Sequence, residues 1–156
     1  MNKLLKVSIT SLLALGISGT VAMAKEPTLA EKAVKYRQGA YFVIAWNFGN
    51  IGAMIKGDKP FDAKELADRA DKMQMMTKML MEGFEVKGSE KGHHTEAKPE
   101  VWKDWEKFKE GQMKFQEEAT KLAEVAKTAT KAGDVKAQFD TVGKLCKDCH
   151  EKFKED

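Results

Sequence analysis

Residues 133–156 read GDVKAQFDTVGKLCKDCHEKFKED. On a helix each residue advances about 100°. With Cys146 at zero, Cys149 falls at about −60° and His150 at about +40°. Phe139 and Val142 before them and Phe153 after them fall on the same face. Two thiols and an imidazole therefore lie inside an apolar stripe, and such a stripe has to face an interior.

The rest of the chain supplies that interior. Ala, Lys, Glu, Met and Leu predominate, all good helix formers. Proline, glycine and capping residues divide the chain into four helical segments. The first runs from about Thr28 to Lys56, with Thr28 and Glu31 spaced as a capping box. GDKP, residues 57–60, ends it. The second runs from about Asp62, its N-cap, to Phe84. A polar stretch, EVKGSEKGHHTEAKP (85–99), reads as a long loop. Pro99 opens the third segment, a natural first-turn position for proline, and the segment runs to about Lys131. Gly133 closes it, and Asp134 caps the last segment, which runs to about Lys154. Four amphipathic helices with short links at 57–61 and 132–134 predict an all-α, antiparallel four-helix bundle.

Residues 1–24 read as something other than fold. MNKLLK is basic, VSITSLLALGISGTV is apolar but short for a membrane span, and AMA at 22–24 is a small-x-small cleavage site. This predicts a secretory signal peptide, an exported protein, and a single domain over residues 25–156. Removing the signal takes Lys3 and Lys6 and lowers the net charge from +3 to +1. The remaining charges are interleaved, which argues against a nucleic-acid surface. No other long apolar run suggests membrane insertion of the mature chain.

C-x-x-C-H is the attachment signature of c-type haem. Each thiol adds across a vinyl group, giving two thioethers, and the adjacent His150 reaches the iron. Other fates fit less well. A thioredoxin-type C-x-x-C needs a βαβ context. A structural zinc needs four ligands, and only His93 and His94, in a polar loop, could add to these. A plain disulfide explains neither the histidine nor the apolar face. Only six residues follow His150, none of them Met or His, so any sixth iron ligand has to come from an upstream helix.

AVKYRQGAYFV (33–43), KPEVW (98–102) and GDVKAQFDTVGKLCKDCHEKFK (133–154) together resemble the cytochrome c′, or class II cytochrome c, family. The resemblance implies one haem c per chain, bound through Cys146 and Cys149 with His150 as axial ligand. It implies a five-coordinate, high-spin iron that transfers electrons, binds nitric oxide or carbon monoxide reversibly, or does both; a peroxidase would call for a distal acid–base group, for which Tyr41 is a poor substitute, so no enzymatic role is expected. It places Tyr41 over the distal face, Arg37, Gln38 and Glu96 near the haem edge, and Lys154 on the proximal side. It also implies a homodimer through the first two helices and an unidentified redox partner. The alternative is a low-spin, six-coordinate electron carrier. A sixth ligand from the first helix would have to be Met54. It stands more than three turns beyond Tyr41, about 20 Å along the axis.

Other features read as structural. MQMMTKMLM (73–81) has helix-stripe spacing and suits core or subunit contact better than soft-metal binding. Phe42 and Trp46 add apolar surface to the first helix. Trp102 and Trp105 anchor the third helix in the core.

Overall fold

The structure is a computed structural model that describes residues 25–91 and 95–155. The proposed signal peptide, His93 and His94 lie outside the described residues. Among the described residues, six α-helices and one 3-10 turn follow in chain order: α1 (Leu29–Lys56), α2 (Ala63–Thr77), α3 (Glu82–Glu85), the turn Ser89–Lys91, α4 (Glu100–Lys103), α5 (Trp105–Thr128) and α6 (Gly133–Phe153). The four long helices α1, α2, α5 and α6 form the antiparallel bundle. No helix of the described residues is long and apolar enough to cross a membrane.

Local chemistry sets the helix ends. The Thr28–Glu31 capping box is present in both directions, each end satisfying one orphan donor. Gly57 ends α1 at φ +83°, a conformation that favours glycine. Asp62 caps α2 by accepting from the Glu65 N–H at 2.8 Å, as an N-cap carboxylate does.

Several boundaries differ from the sequence reading. The second helix stops at Thr77, and its expected continuation to Phe84 is a turn followed by α3. The third helix breaks at Asp104 into α4 and α5, so Trp102 and Trp105 stand on different helices. Asp134 is not the N-cap of α6. Its carboxylate reaches back to accept from the Thr130 N–H at 2.9 Å and the Lys131 N–H at 3.2 Å. A carboxylate inside a first turn can satisfy loop amides as readily as helix amides. The 85–99 loop also contains the end of α3 and the 3-10 turn, because its glycines and serine permit tight turns.

The helices pack in sequence around the bundle, α1 on α2, α2 on α5 and α5 on α6, while α1 and α6 meet only sparsely. The core forms two clusters. The larger holds Ile44, Ile51, Met73, Leu122 and Val142 among others. The smaller holds Phe84, Val101, Phe108 and Phe153 at the end where α6 finishes. Ile51, Met73 and Val142 are fully buried, each worth about 1.5–3 kcal/mol against exposure. Met73 thus belongs to the core, as the stripe spacing predicts, whereas Met75 is exposed.

Candidate haem site

The site lies on the α1–α6 seam. Cys146 packs against the larger cluster and Cys149 against the smaller. Both are half-buried free thiols. Burial pushes the Cys146 thiol up to about 11, with Cys149 adding to the effect. Burial raises Cys149 as well. Both groups are therefore protonated and apolar near neutral pH, unlike the thiolates that bind metals. His150 is on the same α6 face but exposed. Burial of part of its ring lowers its pKa, and the Lys154 ammonium lowers it further.

Tyr41 faces the thiols from α1. It packs against both clusters and is the one side chain, among the described residues, assigned to the rim of each. Its ring meets Phe84 edge-on at 6.3 Å. Its hydroxyl accepts a hydrogen bond from Gln112 Nε2 of α5 at 2.7 Å. Burial, reinforced by Cys149, raises its pKa well above the ordinary value, so the phenol keeps its proton.

Arg37, one turn before Tyr41, is only 2% exposed. Its guanidinium donates to Gly83 O at 2.7 Å, to Ser89 O at 2.9 Å and to Thr95 Oγ1 at 2.7 Å. It also lies over the Phe84 ring at 4.5 Å and the Trp102 ring at 5.4 Å. All three bonded acceptors are neutral, and two of the five N–H donors remain beyond these bonds. The fork therefore ties Gly83, Ser89 and Thr95 to α1. Gly83 makes the approach possible, since a Cβ there would stand 2.7 Å from Arg37 Cβ. Gln38, the next residue of α1, is exposed.

Glu96 and Lys154 come together, as an ion pair at 2.9 Å. Around them the segment before α4 pairs with the end of α6. Lys98 N–H donates to Phe153 O at 2.9 Å and Glu155 N–H to Glu96 O at 2.7 Å. This antiparallel bridge runs past the His150 end of α6 and fixes that helix terminus.

Two residues of the site escape sequence reading. Phe84 touches both the Arg37 cation and the Tyr41 ring, but it follows an irregular turn that no periodicity marks. Gln112 is a polar residue inside an otherwise apolar α5 stripe, and that break in the pattern is the signal that could have found it.

The residues fit a haem c. Two protonated thiols one helical turn apart, followed at once by an imidazole, would hold a haem c through two thioethers and one nitrogen on the iron. Arg37 is a buried cation whose bonded partners are neutral, and Gln112 Oε1 is buried without a hydrogen-bond partner. The Gln112 amide oxygen is thus a buried polar atom left unpaired among the described residues.

The family model described as cytochrome c′ matches residues 32–154. A cytochrome c′ of Rubrivivax gelatinosus is 42% identical over 123 residues, covering 79% of this chain and 94% of its own. The solved structure of cytochrome c′ from Shewanella frigidimarina superposes with a TM-score of 0.77 at 41% identity, covering 84% of this chain and all of its own. A nitrosyl complex of a cytochrome c′ variant from Alcaligenes xylosoxidans superposes with a TM-score of 0.74 at 30% identity, covering 84% of this chain and all of that one. With the fold, the C-x-x-C-H helix and these whole-length likenesses in agreement, the chain belongs to the cytochrome c′ family, whose cofactor is covalently bound haem c.

Proposed function

We propose that this protein is a periplasmic haem-c protein whose iron keeps an open face for diatomic gases and also cycles one electron. Cys146 and Cys149 carry the thioethers, and His150 is the axial ligand. When bound, the haem supplies an iron that changes between ferric and ferrous and takes a small ligand on its free side. Residues 1–24 are the export signal in this reading.

The position of Tyr41 carries the proposal. It faces both thiols and has no ligating competitor nearby on α1. Met54 is 2% exposed and belongs to the larger core cluster, which does not favour Met ligation and a low-spin carrier. A phenol held protonated by burial is a filler and a hydrogen-bonding group rather than a phenolate ligand. It has to move aside before a gas reaches the iron. Arg37, with two donors left, suits a haem propionate, and Gln38 and Glu96 remain edge contacts in the same reading. Lys154, paired with Glu96, holds the proximal end. The Alcaligenes relative was solved as a nitrosyl complex, which supports nitric oxide as one ligand.

Carbon monoxide binding to wild type and Tyr41→Ala tests this. Removing the ring should speed association at least about tenfold, the factor of a barrier change of about 1.4 kcal/mol. An unchanged rate and affinity would contradict it. We also propose a homodimer through α1 and α2. Phe42 and Trp46 are 69% and 61% exposed and stack at 6.4 Å. Such an apolar pair is surface that a second copy would cover. Sedimentation of wild type and Trp46→Glu decides this; two monomers would refute it.

A further inference from the structure

Gln112 stands in the buried face of α5, one turn after Phe108 and one before Phe115. It is 6% exposed and the only polar residue among the buried residues of that helix. Nε2 donates to the Tyr41 hydroxyl at 2.7 Å, while Oε1 is buried and has no hydrogen-bond partner among the described residues. Turning the amide over would bond Tyr41 through Oε1 and leave Nε2 bare. One amide end is therefore unsatisfied in either orientation. A half-satisfied amide is a poor way to fill an apolar stripe. Its use lies in the end that is bonded.

We infer that Gln112 is the positioning residue of the gas site: its amide holds the Tyr41 phenol in place beside the thiols, and a ligand enters by breaking that bond. This rests on the proposed role of Tyr41 over the open iron face. Arg37, one turn away, directs its guanidinium at Gly83, Ser89 and Thr95 rather than at the phenol. Phe84 meets the ring edge-on, which limits its tilt without bonding its oxygen. Gln112 thus sets how readily Tyr41 swings, and the iron never has to touch it.

The test uses haem-loaded wild type, Gln112→Met, Tyr41→Phe and the double variant. Met keeps length and packing and removes the amide. Carbon monoxide association to the ferrous proteins should rise about tenfold in each single variant, a hydrogen bond's share of the barrier. The double variant should be no faster than either single one. Independent, multiplying effects, or a Gln112→Met rate within about twofold of wild type, would overturn the inference. The ferric spectrum without ligand should not change between wild type and Gln112→Met. A low-spin, six-coordinate wild-type spectrum would instead overturn the open-face reading itself, which separates the two failures. Ultraviolet resonance Raman in a Tyr36→Phe background needs no gas and no change at Gln112. It should show the remaining Tyr41 phenol accepting or donating a hydrogen bond. A phenol with no such bond would overturn the inference even if Gln112→Met failed to fold.

Discussion

Phe48 of α1 and Phe139 of α6 stack face to face, with centroids 4.0 Å apart and planes 9° from parallel. Each ring also lies against a glycine of the opposite helix. A Cβ on Gly52 would stand 3.0 Å from Phe139 Cζ, and one on Gly143 would stand 3.4 Å from Phe48 Cζ. Phe48 is seven residues beyond Tyr41, and Phe139 is seven before Cys146. The stack therefore joins α1 to α6 about two turns from the thiols and sets the spacing of the seam they share.

The glycines give a graded prediction. In an open helix position Gly→Ala stabilises by about 0.5–1 kcal/mol. Gly49 has nothing within 4 Å of an added Cβ, so Gly49→Ala should gain that amount. Gly52→Ala adds the same helix propensity but pushes a ring that is already stacked. Overpacking costs about 1–3 kcal/mol, so it should be neutral to destabilising. Gly83→Ala meets Arg37 Cβ at 2.7 Å and Ala33 O at 3.0 Å, where backbone cannot yield, and should be the worst of the three. Urea unfolding midpoints would establish the order; a Gly83→Ala as stable as Gly49→Ala would contradict it.

Arg37 is a second point of leverage. Arg37→Leu leaves Gly83 O and Ser89 O without their donor, in a buried place. The cost should be about 3 kcal/mol or more, from hydrogen bonds of a charged group and acceptors left bare. Arg37→Lys keeps the charge but not the fork that reaches three acceptors, and should recover less than half. Unfolding of the three proteins in urea checks this, and a lysine variant as stable as wild type would count against the cage.

Asp134 predicts a pH dependence at the α5–α6 link. The Thr130 N–H holds its carboxyl below the ordinary value of 3.8. A depressed folded-state pKa means that the unfolded chain takes up the proton first. The stabilisation is present above about pH 4 and is lost as pH falls through the folded-state pKa. Asp134→Asn should have a lower Tm than wild type at pH 7, and the two should converge near pH 2. A gap that persists in acid would show that the carboxylate's charge is not what matters.

The four long helices were legible because their stripes, caps and breakers agree at every level. Thr28, Asp62 and Gly57 act as the sequence implies. The thiols and His150 were legible because spacing on one helix fixes a face, whereas Tyr41 needed the family resemblance to single it out. What was not legible depended on tertiary contacts. The breaks at Thr77 and Asp104 carry no proline or glycine at the break itself, so no local signal marks them. The resemblance puts Arg37 near a haem edge but cannot reveal that three protein oxygens accept from it. Asp134 has the residue type of a cap, yet the loop before it offered closer donors. Gln112 finds Tyr41 across 71 residues, a pairing that no local pattern encodes.

In the proposed state His150 ligates the iron on one side and no protein atom does on the other. The direct measurement is the optical and electron paramagnetic resonance spectrum of the purified, ferric, haem-loaded protein near neutral pH with no added ligand. A five-coordinate, high-spin spectrum is the predicted result. A six-coordinate, low-spin spectrum would contradict it.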